Sequence, residues 1–409
     1  MADEWRNCLL GDVIELKRGY DLPERERRVG VVPIISSSGP SGFHDKVKVK
    51  GPGVATGRYG TIGQVFYVPT DFWPLNTTLY VRDFNGNDPR FVSYFLRGLD
   101  YLAYSDKAAV PGVNRNHLHQ AEVQLPEDVD EQRAIAHVLG TLDDKIELNR
   151  RMAETLEAMA RALFKSWFVD FDPVRAKAEG RDTWLPKAIA DLFPDTFGES
   201  DLGETPAGWS VAALPDAIEV NPTRRLRNGT IAPYLDMANM PTRGHTPERV
   251  VPRAFASGMR FVNGDTLVAR ITPCLENGKT AFVDFLESDE VGWGSTEYIV
   301  MRPKPPLPEE FGYCLARSEP FREFVIQSMT GSSGRQRAPA SALNHYELTL
   351  PMPAVAERFG SLVRPLFARA GRLSVESRTL AALRDTLLPK LISGEIRTGD
   401  ATRFLERSP

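Results

Sequence analysis

Arginine, lysine and amide side chains gather on short loops in two stretches of this chain. The first stretch holds Lys17, Arg18, Arg25, Arg27 and Arg28, then Lys46, Lys48 and Lys50 alternating along an expected strand. Arg58 follows, and then the Gly112–His117 segment with Asn114 and Arg115. The second holds Arg224, Arg225 and Arg227, then Arg243, Arg249, Arg253, Arg270 and Lys279, and a loop over Gly331–Arg337 with Arg335, Gln336 and Arg337. Planar donors and amides on loops suit the edges of bases, and cations suit phosphates. The formal net charge is −4, so nucleic-acid contact has to rest on these local patches rather than on bulk charge. The same runs would also serve as solvated surface, and alternating lysines are a common way to protect an edge strand.

Little else in the chain promises catalysis. Gly278-Lys279-Thr280 comes nearest to a phosphate loop, but G-x-x-x-x-G-K-T needs glycine where Pro273 stands, and a Gly-Lys turn between strands fits better. His117 and His119 have a spacing that would present two ligands from a strand; polar, surface or DNA-facing histidines explain them better. Asp170 and Asp172 read as a helix end. Cys8, Cys274 and Cys314 are odd in number and far apart, as suits small apolar fillers in a reducing compartment. The expectation is a chain with no catalytic residue, no metal site and no cofactor of its own. The 42% apolar and 25% charged composition excludes wholesale disorder, collagen and a membrane protein. The amino terminus lacks an apolar signal core, which points to the cytoplasm.

The elements that would position these residues repeat. Trp5/Trp209, Leu10/Leu214, Asp12/Asp216, Ile14/Ile218 and Glu15/Glu219 match at a constant offset of 204. Glu122–Pro126 answers Glu347–Pro351 at an offset of 225, and Gly53–Val68 resembles Asp265–Val283, with Arg58 facing Arg270 and Gly63 facing Gly278. Matches kept in order mark a duplication. Each copy is a β-rich stretch punctuated by Gly and Pro, followed by a long helical pattern. Apolar residues at intervals of three and four run through Ile135, Leu139, Leu142, Ile146, Leu156 and Trp167, and again through Phe359, Leu366, Leu373, Leu380 and Leu387. Two such helices bury their stripes by pairing as an antiparallel coiled coil, on the order of 50 Å long. The expected fold is α+β: two tandem β-rich domains in a pseudo-two-fold arrangement, separated by two long antiparallel coiled-coil helices. The boundaries expected are 1–130 and 208–353 for the β-rich domains, 131–172 and 354–394 for the helices, an extended connection over 173–207, and a tail over 395–409. Units some 50 Å apart could touch two sites more than one turn (~34–36 Å) of B-DNA apart.

This layout resembles the specificity subunits of type I restriction-modification systems. So does the run from Leu125 to Asn149, LPEDVDEQRAIAHVLGTLDDKIELN, continuing into LFKSWFVDFDPV from Leu163 to Val174. The resemblance implies two target-recognition domains that each read half of a split sequence in double-stranded DNA, and helices that act as spacer and docking site. It implies a chain without catalytic activity that binds two methyltransferase subunits, which use S-adenosylmethionine to methylate adenine N6. Restriction subunits then bring ATP- and Mg-dependent translocation and cleavage. Lys17, Arg18, Lys46, Lys48, Arg58, Asn114, Arg115, Arg224, Arg225, Arg227, Arg243, Arg270, Lys279, Arg335, Gln336 and Arg337 are the DNA-contact candidates. Gln132, Arg133, Leu142, Ile146, Leu156, Trp167, Phe168, Leu373, Leu380 and Leu387 are the spacer and docking candidates. The second helix departs from the pattern, with Val355-Ala356-Glu357-Arg358 where the first has Glu131-Gln132-Arg133. Two other readings fit the same residues: a coiled-coil scaffold whose β units bind protein, and a DNA reader of another phage-defence assembly.

Overall fold

The computed structural model describes residues 5–106, 112–332 and 334–399. They form two compact units, one of residues 1–147 with 378–409, the other of residues 148–377.

In the first unit the ends of the β-rich copy pair with each other: Trp5–Leu9 runs antiparallel to Glu122–Pro126, with Trp5 opposite Pro126. Between them lies a four-stranded antiparallel sheet in the order Glu15–Arg18, Thr78–Asp83, Gly53–Gly57, Val65–Val68. A smaller sheet joins Gly39–His44, Val32–Ser36 and Trp73–Pro74. The second unit repeats this plan. Ser210–Ala213 pairs with Glu347–Leu350, and a sheet follows in the matching order Ile218–Val220, Tyr298–Pro303, Thr266–Ala269, Thr280–Phe282. Its smaller sheet adds one strand, Met259–Phe261. Each main sheet has a helix packed on it, Pro89–Arg97 and Glu309–Arg317. The repeat written in the sequence is thus a repeat of strand order.

The long helices run Val129–Phe168 and Pro353–Ile392, 40 residues each. They pack together inside each unit. In the first unit Ile135, Leu139 and Leu142 share a core with Leu387 and Leu391. In the second, Phe164, Trp167 and Phe168 share one with Phe359, Val363 and Phe367. In both places an early part of one helix meets a late part of the other, the antiparallel sense expected from the apolar stripes. The first helix stops where Phe171 turns left-handed (φ 55°), and the second where Gly394 does (φ 77°), a conformation that favours glycine.

Two local expectations are corrected. Lys46–Lys50 is not a strand: the strand ends at His44, and only Val49 bridges to Phe72. Asp71 holds the following turn, accepting from Gly51 N and from Lys50 Nζ at 3.0 Å each. The segment after the first long helix is not a plain extended connection. It forms helices at Asp172–Ala178 and Lys187–Ala190 and a hairpin of Phe197–Ser200 with Gly203–Pro206, because Val174, Ile189 and Phe193 are buried in the core of the second unit. Among the described residues no helix is long and apolar enough to cross a membrane.

Candidate nucleic-acid interface

Lys17 and Arg18 end the edge strand of the first unit's main sheet, Arg58 follows the Gly53–Gly57 strand, and Asn114 and Arg115 begin the short helix Arg115–His119. Backbone hydrogen bonds draw them together. Arg58 N donates to Thr77 O at 2.9 Å, and Val113 N donates to Arg58 O at 3.0 Å. These five residues line one open cleft of about 650 Å³ with Tyr20, Asp21 and Tyr59. The Arg58 guanidinium lies over the Tyr59 ring at 4.6 Å. That ring fits because residue 112 is glycine; a Cβ there would come within 2.2 Å of Tyr59. Lys48 Nζ sits 4.6 Å from the Tyr20 ring and 5.4 Å from Trp73. The Tyr20 phenol is held below its usual range, first by its hydrogen bond with Tyr80 and then by Lys17 and Lys48. Asp21 lies 3.9 Å from Arg18, but both are well exposed, so water and salt screen the pair. Asn114 is partly committed: its side chain caps the helix by accepting from Asn116 N. Lys46 is exposed outside the cleft. His119 faces inward, where Nε2 accepts from Leu16 N at 3.0 Å; burial, then Arg115, lowers its pKa.

Such a surface offers cations backed by ring faces, with few acids to cancel them. It suits a polyanion that also presents flat groups for stacking. Tyr20 and Tyr59 were not among the sequence candidates. The signal available was an aromatic residue beside a basic one (Arg58-Tyr59), or close to one (Arg18-Gly19-Tyr20).

The second unit has the same backbone and different charges. Arg270 N donates to Glu297 O at 3.0 Å, and Ala338 N donates to Arg270 O at 2.8 Å, so Arg270, Glu297 and Arg337 occupy the places of Arg58, Thr77 and Gly112. Glu297 accepts from Arg337 Nε at 2.8 Å and faces Arg270 Nε at 3.6 Å. Arg224 bonds the fully buried Asp265 at 3.1 Å, and Arg302 joins them at 3.4 Å. Burial raises the Asp265 pKa against the pull of these cations. Lys279 donates to the carbonyls of Met237 and Ala238 at 2.5 and 3.1 Å. Arg225, Arg227, Arg243 and Arg335 are exposed, and Gln336 is tied through its backbone to Thr272. Ser333, within the Gly331–Arg337 loop, lies outside the described residues.

Of the docking candidates, Leu142, Trp167, Phe168, Leu373 and Leu387 are buried. Ile146, Leu156 and Leu380 are half-buried, and Arg133 is exposed beside Asp130. Gln132 is fully buried: it donates to Asn87 Oδ1 and Pro126 O and accepts from Asp88 N. It thereby ties the start of the long helix to the cap of Pro89–Arg97. Leu148, Met152 and Met159 are the large apolar side chains that the first long helix leaves exposed.

Residues 2–158 match the sequence model of the type I restriction modification DNA specificity domain. Over that stretch the chain is similar to such a domain. It is similar to two curated specificity subunits. The HindI subunit of Haemophilus influenzae is 26% identical over 346 residues, covering 72% of this chain and 73% of the relative. The MjaIX subunit of Methanocaldococcus jannaschii is 27% identical over 310 residues, covering 72% of this chain and 65% of the relative. The fold is shared with the solved S subunit from M. genitalium, with a TM-score of 0.56 and 15% identity over 95% of this chain and 96% of that one. The specificity-subunit resemblance read from the Leu125–Asn149 run is thus met by sequence and fold alike.

Proposed function

We propose that this chain is the non-catalytic, DNA-reading subunit of a type I restriction-modification complex in the cytoplasm. The observation that carries this is the cleft of Lys17, Arg18, Arg58, Asn114 and Arg115 with its two tyrosines, set in a fold that repeats once. Each β-rich unit presents loops to a groove of double-stranded DNA, and the paired helices, in a pseudo-two-fold arrangement, set the gap between two half-sites. Two methyltransferase subunits dock on exposed parts of the helices and bring S-adenosylmethionine; restriction subunits bring ATP and Mg. Support comes from the specificity-domain match over residues 2–158 and from the two named relatives.

The test is genome-wide adenine methylation, compared between a strain with this gene and its deletion while a neighbouring methyltransferase is expressed. Loss of one split motif is expected. No change would remove the methylating complex and leave the scaffold or a non-methylating defence reader. A second experiment addresses the ruler. Four residues inserted in one long helix add about 6 Å, and the tolerated gap should shift by one or two base pairs (~3.4 Å each). An unchanged gap would remove the ruler.

A further inference from the structure

Three backbone positions correspond between the units: Arg58, Thr77 and Gly112 in the first, Arg270, Glu297 and Arg337 in the second. Among the described residues no carboxylate partners Arg58, which is held by its stack on Tyr59. In the second unit a carboxylate stands between two guanidinium groups. Glu297 takes the Nε edge of Arg337 at 2.8 Å and faces the Nε of Arg270 at 3.6 Å. Arg270 Nε and Glu297 Oε2 are buried and make no hydrogen bond among the described residues, so this charge contact is what each offers the other. The clamp has two consequences. It cancels charge, which weakens attraction for phosphate. It also holds Arg337 by its Nε edge and draws the Nε of Arg270 to the same carboxylate. Arg337 Nη1 donates to Arg335 O at 3.3 Å, so Arg337 Nη2 and the Nη groups of Arg270 are the donors left to face a base. A planar, oriented pair of donors is what guanine O6 and N7 accept, and Arg to guanine is the commonest specific contact in the major groove.

We propose that Glu297 is a positioning residue that turns Arg270 and Arg337 from phosphate ligands into a fixed reader of guanine in one half-site, while Thr77 leaves Arg58 free for the phosphate backbone at the other. This rests on the DNA-reading proposal and adds a division of labour at these three positions: in the first unit they grip, in the second they discriminate.

The experiment exchanges the two residues in the full chain, with its partner subunits when these are needed for binding. Glu297→Thr copies the first unit into the second, and Thr77→Glu does the reverse. Each protein selects duplexes from a random-sequence pool, and its affinity for the wild-type motif is followed against salt. Glu297→Thr should lower discrimination at a guanine in one half of the motif by about tenfold and leave the other half unchanged. Thr77→Glu should keep the motif and reduce the slope of log affinity against log salt by about one. A merely structural role would move stability without choosing one base position.

If the wild type selects no motif, the DNA-reading proposal falls, and this inference with it. If the wild type selects one and Glu297→Thr reproduces it at every position, this inference alone falls. If Glu297→Thr fails to fold, as circular dichroism would show, Thr77→Glu decides, and an unchanged salt slope overturns the proposal.

Discussion

The two places where the long helices cross are built from different materials. In the first unit the seam is aliphatic, with Ile135, Leu139 and Leu142 against Leu387 and Leu391, and it carries a charged clamp. Asp143 accepts from Tyr94 Oη at 2.7 Å, Arg97 at 3.0 Å and Arg384 at 2.6 Å, joining three helices through one carboxylate. In the second unit the seam is aromatic: Phe164, Phe168, Phe311 and Phe359 meet edge to face and Trp167 lies tilted against Phe359, with centroids about 5–6 Å apart. Equivalent crossings therefore need not share chemistry. One adds directional polar contacts through a single carboxylate, the other draws mainly on aromatic area and shape.

Substitutions can break this contrast. Phe359→Ala should cost about 3–5 kcal/mol, and hydrogen exchange should show the loss in residues 148–377 rather than elsewhere. Asp143→Asn should cost about 1–3 kcal/mol, with lost protection in residues 5–147 and 378–399; a loss spread over both units would sink the idea of a local clamp.

Acid should sharpen the contrast further. Burial works against the Asp143 carboxylate, but Arg384, Tyr94 and Arg97 hold its pKa below the ordinary value. With a folded value below an unfolded value of about 3.9, its contribution is present above that pH and is lost as pH falls through the folded value. Asp265 and Glu310, in the second unit, are raised by burial. Their folded states bind protons more readily than the unfolded chain, so a fall in pH through the raised values favours that unit. Protection measured on stepwise acidification, corrected for intrinsic exchange, should rise first in the second unit and fall last in the first.

The smallest effect concerns the repeated tryptophans. Trp5 Nε1 donates to Ile392 O at 2.7 Å, whereas Trp209 Nε1 is buried with no hydrogen-bond partner among the described residues. Trp5→Phe should therefore cost about 0.5–1.5 kcal/mol more than Trp209→Phe, read from paired urea melts. Equal costs would deny the hydrogen bond a role.

The same tryptophans show how far the sequence could be read. Trp5/Trp209 and Glu122–Pro126/Glu347–Pro351 marked the repeat because they sit where each copy closes on itself, as the pairing of Trp5–Leu9 with Glu122–Pro126 shows. Packing constrains such places, so they keep a pattern. The apolar stripes gave the helices for the same reason. Charges were legible as types and not as partners. Arg224 and Lys279 read like Arg58, yet one holds a buried aspartate and the other holds carbonyls, because the groups they meet come from distant turns. Gln132 read as a spacer or docking residue from the family pattern, and the structure shows it buried, joining two helix starts. Lys46, Lys48 and Lys50 alternate like a strand but lie in a loop, where Asp71 holds the turn after Lys50.

One feature of the fold acts in time. The core of the first unit includes Leu387 and Leu391, and its Trp5 bonds to the carbonyl of Ile392. A ribosome making roughly 5–20 residues per second releases these residues about 12–50 s after residue 147. The second unit, continuous from 148 to 377, can close before the first has its last helix. The portion of the chain that is born first is thus finished last, and through that interval it carries an open leucine seam that chaperones would meet.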